Sequence, residues 1–162
     1  MSVSAASPRK VSSRRGAEVQ YAALPYRMAG ATLEILLITS RRTHRWIIPK
    51  GWPIDGCTPH ACAAREALEE AGVTGEIGEA PVGHFRYRKH IRDGSDLPCR
   101  VEVFALKVTQ EQDVWAEKDA RQRRWCTVGV AAAIVDEPQL RLLILKFDAR
   151  VARERKHGRA PD

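Results

Sequence analysis

Residues 51–73 read GWPIDGCTPHACAAREALEEAGV, and most of the chain can be placed outward from them. Thr58 followed by Pro59 is a helix-capping residue followed by a residue that suits the first helical position, and Gly72 suits the left-handed stop. These signals predict a helix over 59–71. On that helix Glu66 meets Glu69 and Glu70 at the i+3 and i+4 positions, so three carboxylates share one edge and repel by a few tenths of a kcal/mol per pair. Ala64, Ala67, Leu68 and Ala71 form a small-residue face that allows close packing on a sheet. A hard cation such as Mg²⁺, which takes oxygen ligands, is the natural partner for the carboxylates. Taken alone, the triplet suits a solvated acidic face equally well.

Before the helix, the segment 50–57 is punctuated by Gly51, Pro53 and Gly56 and reads as a loop. Further upstream, Val19 to Tyr26 and Leu33 to Thr39 carry strand-forming residues, the first run ending at Pro25. Trp46 to Ile48 suggests a short strand stopped by Pro49. Beyond the helix, 82–87 and 99–108 read as strands joined by a turn at 93–96, and 123–128 as one more. A short helix over 130–135 follows. Leu140, Leu143, Ile144, Phe147 and Val151 at helical spacing predict a closing helix over 139–151. Strands, helix, strands again and a final helix indicate an α/β sandwich with a mixed sheet.

A chain of 162 residues with 44% apolar residues has the length and the apolar content of one domain. No apolar run is long enough to span a bilayer, and Arg9, Lys10, Arg14 and Arg15 are not followed by an apolar stretch, so the expectation is a cytoplasmic protein. Cys57, Cys62, Cys99 and Cys126 lack disulfide-scaffold or zinc spacing and are expected to be reduced. The net charge of +7 resides in the ends, +4 over residues 1–16 and +3 over 149–162. Between them the body is neutral. This distribution disfavours nucleic acid as partner and divides the chain into a disordered basic tail (1–17), a folded domain (18–148) and a basic C-terminal tail (149–162).

Read together, loop and helix resemble the Nudix box, whose pattern is GX5EX7REUXEEXGU. Every fixed position matches except one, where Cys57 stands in place of the first glutamate. The apolar positions hold Ala67 and Val73. The resemblance implies a Nudix-type α/β/α sandwich in which a loop–helix–loop holds Mg²⁺, or Mn²⁺ in its place, on Glu66, Glu69, Glu70 and the Lys50 carbonyl, with Arg65 orienting a carboxylate. The implied activity is hydrolysis of a phosphoanhydride by water. The segments LPYR (24–27), LLITSR (36–41), WIIPKGWP (46–53), GHFRYRK (83–89), WAE (115–117) and RRW (123–125) are similar to the diphosphoinositol polyphosphate and diadenosine polyphosphate phosphohydrolase branch.

That similarity implies a small polyphosphorylated substrate. Arg27, Arg41, Arg42, Arg45 and Lys50 lead into the box and Arg86, Arg88 and Lys89 follow it, a set from which phosphate ligands can be drawn. Any one of them could equally be an exposed surface charge. His44, His60, His84 and His90 lack metal-ligand spacing, and the four tryptophans read as packing residues, Trp52 also being placed to stack on a ligand. The lost glutamate leaves an alternative: a catalytically weakened Nudix-fold module that binds or regulates. An RNA-processing enzyme aided by the basic tails is a third reading. Monomer and homodimer both remain open.

Overall fold

The computed structural model describes residues 16–158. It contains β1 (Glu18–Ala29), β2 (Thr32–Thr39), β3 (Trp46–Ile47), β4 (Lys50–Gly51), α1 (Pro59–Glu66), β5 (Val73–Ile77), β6 (Gly83–His90), β7 (Asp96–Glu111), β8 (Arg123–Thr127), α2 (Val128–Ile134) and α3 (Pro138–His157). α1 winds on without a break as a π-helical stretch, Ala67–Ala71, which ends on Gly72 at φ 67°.

β1 and β7 are the spine of a mixed sheet. They run parallel from Glu18↔Cys99 to Tyr26↔Lys107, while β2, β3, β4, β5, β6 and β8 attach antiparallel to their neighbours. β7 is long because the edge away from β1 serves two partners: its first half pairs with β6 and its second with β5.

Side chains alternate across this sheet, and the two faces build two cores. Leu33, Ile35 and Leu37 of β2 join Leu24, Val101, Val103, Leu140, Ile144 and Phe147 beneath α2 and α3. Leu36 and Ile38 point the other way and join Ala23, Phe104, Leu106, Ala63, Ala67 and Ala71 beneath α1. The small residues on α1 let its backbone approach the sheet closely, which holds the acidic edge of the helix at a fixed height above the strands. The expected α/β/α sandwich is the observed one.

Several boundaries differ for physical reasons. β1 continues through Pro25, because the missing N–H faces the gap between the pairing to β4 at Tyr21–Ala22 and the pairing to β2 from Tyr26. β5 escapes a pattern search because it is short and interrupted by Gly75, where the register to β7 shifts. Lys50–Gly51, read as loop, makes a two-residue strand on β1. α3 runs to His157, so most of the stretch taken as a C-terminal tail is helical. Residues 1–15, and with them nearly all of the basic N-terminal tail, lie outside the described residues. Among the described residues no helix is long and apolar enough to cross a membrane.

Candidate active site

The predicted caps are in place. Thr58 Oγ1 accepts the Ala61 N–H at 3.4 Å, Pro59 opens the helix, and Gly72 closes it in the left-handed conformation. The π-helical stretch lies under Glu69 and Glu70. Its wider turn separates what α-helical spacing would keep together: Glu69 lies at the surface and accepts from Arg65 Nε at 3.0 Å, while Glu70 is 6% exposed. Glu66 and Glu70 therefore face the interior of the site, and among the described residues no three carboxylate, thiol or imidazole groups converge.

Glu66 rests against Gly51. A β-carbon at position 51 would collide with its carboxylate, so the glycine opening the box leaves the room that this carboxylate occupies. Burial, followed by the charge of Glu69, raises the Glu66 carboxyl above its ordinary range. Glu70 is gripped at both oxygens: Oε2 accepts the Lys50 N–H at 3.3 Å, and Oε1 lies 3.4 Å from Arg121 Nη2. Burial nonetheless outweighs the pull of Arg121 and pushes the Glu70 carboxyl up to about 8. Lys50 is lowered by burial against the opposing charge of Glu70, and its Nζ lies 5.0 Å from the centre of the Tyr87 ring. Burial thus raises both carboxyls, and the charge of Glu66 adds to the shift of Glu70.

The loop after β7 and the first residue of β8 clamp the helix end. Trp115 Nε1 donates to the Glu70 carbonyl at 3.1 Å, Glu117 N–H to the Glu69 carbonyl at 3.1 Å, and Arg123 Nη1 to the Ala71 carbonyl at 3.0 Å. Carbonyls that a helix end leaves without intrahelical donors are thus paired. Arg121, 9% exposed, extends the network through Glu117 Oε1 at 3.2 Å and the Thr39 carbonyl at 3.1 Å, and Arg41 pairs with the same Glu117 oxygen.

Two cavities meet at Lys50, Glu70, Lys89 and Gln20. The smaller, about 440 Å³, is lined by Trp52, Ile54, Asp55, Arg65 and Glu66. The larger, about 590 Å³, takes Arg41, Arg42, Arg45, Arg88 and Lys89 from the sequence-derived set and adds Arg92 and Arg121, with Glu70 its one carboxylate. Arg27 and Arg86 do not join. Arg27 pairs with Glu34 at 2.9 Å and lies 4.0 Å from the Trp125 ring centre, while the Arg86 backbone donates to Gln139 Oε1.

Sequence reasoning missed Arg121, Arg92 and Gln20. Gln20 carried a signal, being a lone amide in an apolar strand, 2% exposed and accepting the Tyr87 hydroxyl at 2.6 Å. Arg121 lay in a charged run, 117–124, in which nothing distinguishes it from its neighbours.

A two-faced mixed sheet that carries a glycine-opened loop and a carboxylate-edged helix defines the class of protein. The NUDIX domain family matches residues 19–147, and the chain belongs to it. It is 41% identical over 102 residues to Nudix hydrolase 12, mitochondrial, of Arabidopsis thaliana, an alignment covering 61% of this chain and 50% of that one. It is 33% identical over 105 residues to the diphosphoinositol polyphosphate phosphohydrolase 3-beta of Bos taurus, covering 63% of this chain and 60% of that one. The chain thus spans about half the length of the first of these relatives. The structure superposes on a C. elegans Ap4A hydrolase binary complex with a TM-score of 0.63 at 25% identity, covering 83% of this chain and 97% of that one.

Proposed function

We propose that the chain is a metal-dependent hydrolase that cleaves a phosphoanhydride bond in a small, highly phosphorylated molecule. The observation that carries this is the meeting of a carboxylate pair, Glu66 and Glu70, with a large cavity that gathers seven arginine and lysine side chains besides Lys50. Oxygen donors of this kind fit Mg²⁺ or Mn²⁺, and the desolvated pair supplies the charge that such an ion would neutralise. Glu66, Glu70 and the Lys50 carbonyl are the groups that would hold it, with Glu69 a short distance away on the surface. Bound there, the ion would supply Lewis-acid activation of the attacking water and neutralise phosphoryl charge.

The chain's own residues do the rest. Arg121 and the Lys50 N–H fix the Glu70 carboxylate, Gly51 leaves room for Glu66, and Arg65 restrains Glu69. Arg41, Arg42, Arg45, Arg88 and Lys89 bind and orient the anionic end of the substrate, guanidinium forks being suited to phosphate. The smaller cavity, with Trp52 and Ile54, receives a less charged moiety. Diphosphoinositol polyphosphates and diadenosine polyphosphates are the proposed substrate class. A reducing compartment, the cytoplasm, suits the four free cysteines.

A comparison of kcat/KM across diadenosine polyphosphates, diphosphoinositol phosphates, nucleotide sugars and ADP-ribose tests the substrate assignment. Compounds with four or more phosphates are expected to lead, and faster hydrolysis of ADP-ribose than of any polyphosphate would reject it. Cys57 in place of the box glutamate favours a second reading, a binding module without turnover. Tight substrate binding with no product release under any divalent ion would establish that one instead.

A further inference from the structure

Cys57 and Cys62 flank the start of α1. With Thr58 as the capping residue they occupy the position before the cap and the fourth helical position, whose side chains pack on one another across a helix start. Both are held in place. The Cys57 N–H closes a turn on the Ile54 carbonyl at 3.1 Å, and the Cys62 N–H donates to the Thr58 carbonyl at 2.9 Å. The Cys62 thiol lies 3.8 Å from the Cys57 carbonyl oxygen, to which it donates. Its sulfur therefore lies against the backbone of the residue that bears the other thiol. Cys62 is 1% exposed, whereas Cys57 is partly open to solvent.

We propose that Cys57 and Cys62 are a modification site: a dithiol that a hydroperoxide converts to a reversible intramolecular disulfide. The Cys57 sulfur, the accessible one, attacks a peroxide oxygen; the O–O bond breaks, the first water leaves with H₂O₂ as oxidant, and Cys57 becomes a sulfenic acid. The Cys62 sulfur then attacks the Cys57 sulfur. The S–S bond forms, the S–O bond breaks, and the hydroxide leaves as a second water with the Cys62 proton. Two thiols lose two electrons and two protons in total, and the peroxide is reduced to two waters. A small dithiol reverses the step by exchange.

The loop so closed is short, so the crosslink constrains the unfolded chain little and acts on local geometry. That geometry is the wall of the smaller cavity: Trp52, Ile54 and Asp55 precede Cys57, and Glu66 stands one turn beyond Cys62. The site does not depend on the hydrolase reading, because its test reads covalent state.

The folded full-length chain is treated with H₂O₂, quenched, denatured and assayed for thiols, then digested with trypsin. Both cysteines fall in one tryptic peptide, residues 51–65, and Cys99 and Cys126, buried at 1% and 3%, serve as internal controls. The titratable thiols should fall from all four cysteines to Cys99 and Cys126. The peptide should lose two hydrogen masses and regain them with dithiothreitol. In Cys62→Ala the peptide should instead yield a dimedone adduct at Cys57, and in Cys57→Ser it should not change. A peptide that only gains oxygen, a disulfide linking two chains, or persistence of all four thiols overturns the proposal.

Discussion

Gly51→Ala is a perturbation whose consequence can be worked from the contacts. A β-carbon at residue 51 would overlap the carboxyl carbon and both oxygens of Glu66, and none of its three nearest contacts is backbone. The clash falls on the end of a flexible side chain, so it is relieved by swinging the carboxylate aside rather than by moving β4 or α1. The stability cost should sit at the low end of overpacking, about 1 kcal/mol. For a chain of this size that is a fall of about 2–4 °C in Tm. Displacement of a metal-holding carboxylate by about an ångström should cost about 100-fold in kcat/KM. The assay is product release at saturating Mg²⁺, with Mn²⁺ binding followed in parallel by titration calorimetry. Weakened Mn²⁺ binding beside a Tm lowered by no more than about 2–4 °C is the expected pair of results. A variant with parental turnover and parental metal affinity would refute the claim that Glu66 is positioned by this approach.

Glu70→Gln should lower kcat by at least about 100-fold, whereas Glu69→Gln, which breaks only a surface pair with Arg65, should lower it by about tenfold or less. Gly72→Ala combines a left-handed φ with a β-carbon 2.6 Å from the Trp115 ring, so it should destabilise by about 2 kcal/mol or more in denaturant titration. Glu70 is held protonated up to about 8 against its ordinary 4.5. The metal-free fold should lose stability as pH rises between these values, and apparent Mg²⁺ affinity should rise over the same window, because fewer protons must be displaced; calorimetry at several pH values reads both. Cys57→Glu, which restores the residue of the family pattern, should reach half-activity at lower Mg²⁺ than the parent, and Cys57→Ser should behave as the parent.

The fold was legible where periodicity and punctuation agree. β2 shows a strand run whose alternate members serve opposite cores, and the box helix is bracketed by Thr58–Pro59 and Gly72, all of which act as expected. β5 was hidden because a five-residue strand broken by Gly75 has no detectable period and forms only by pairing with β7. The end of α3 was hidden because Arg153, Arg155 and Lys156 carry no apolar stripe, yet helix propagation adds a hydrogen bond for each residue fixed. In the site, residue types were readable and directions were not. Spacing alone places Glu69 and Glu70 each beside Glu66, and it does not say which of the two is buried; in the structure Glu70 is buried, with the helix end held by Trp115, Glu117 and Arg123. Arg27, a neighbour of the box in β1, is drawn off by Glu34 and Trp125, partners that linear reading cannot supply.

In the proposed function, Glu66 and Glu70 hold the divalent ion on which hydrolysis depends. The most direct measurement is the rate of phosphate or pyrophosphate release from a polyphosphorylated substrate by parent and Glu70→Gln protein, each with Mg²⁺ and with EDTA. The parent should turn over with Mg²⁺ and stop with EDTA, and the Glu70→Gln rate should be lower by at least about 100-fold with the fold intact. Parental turnover in EDTA, or in Glu70→Gln with Mg²⁺, would contradict this.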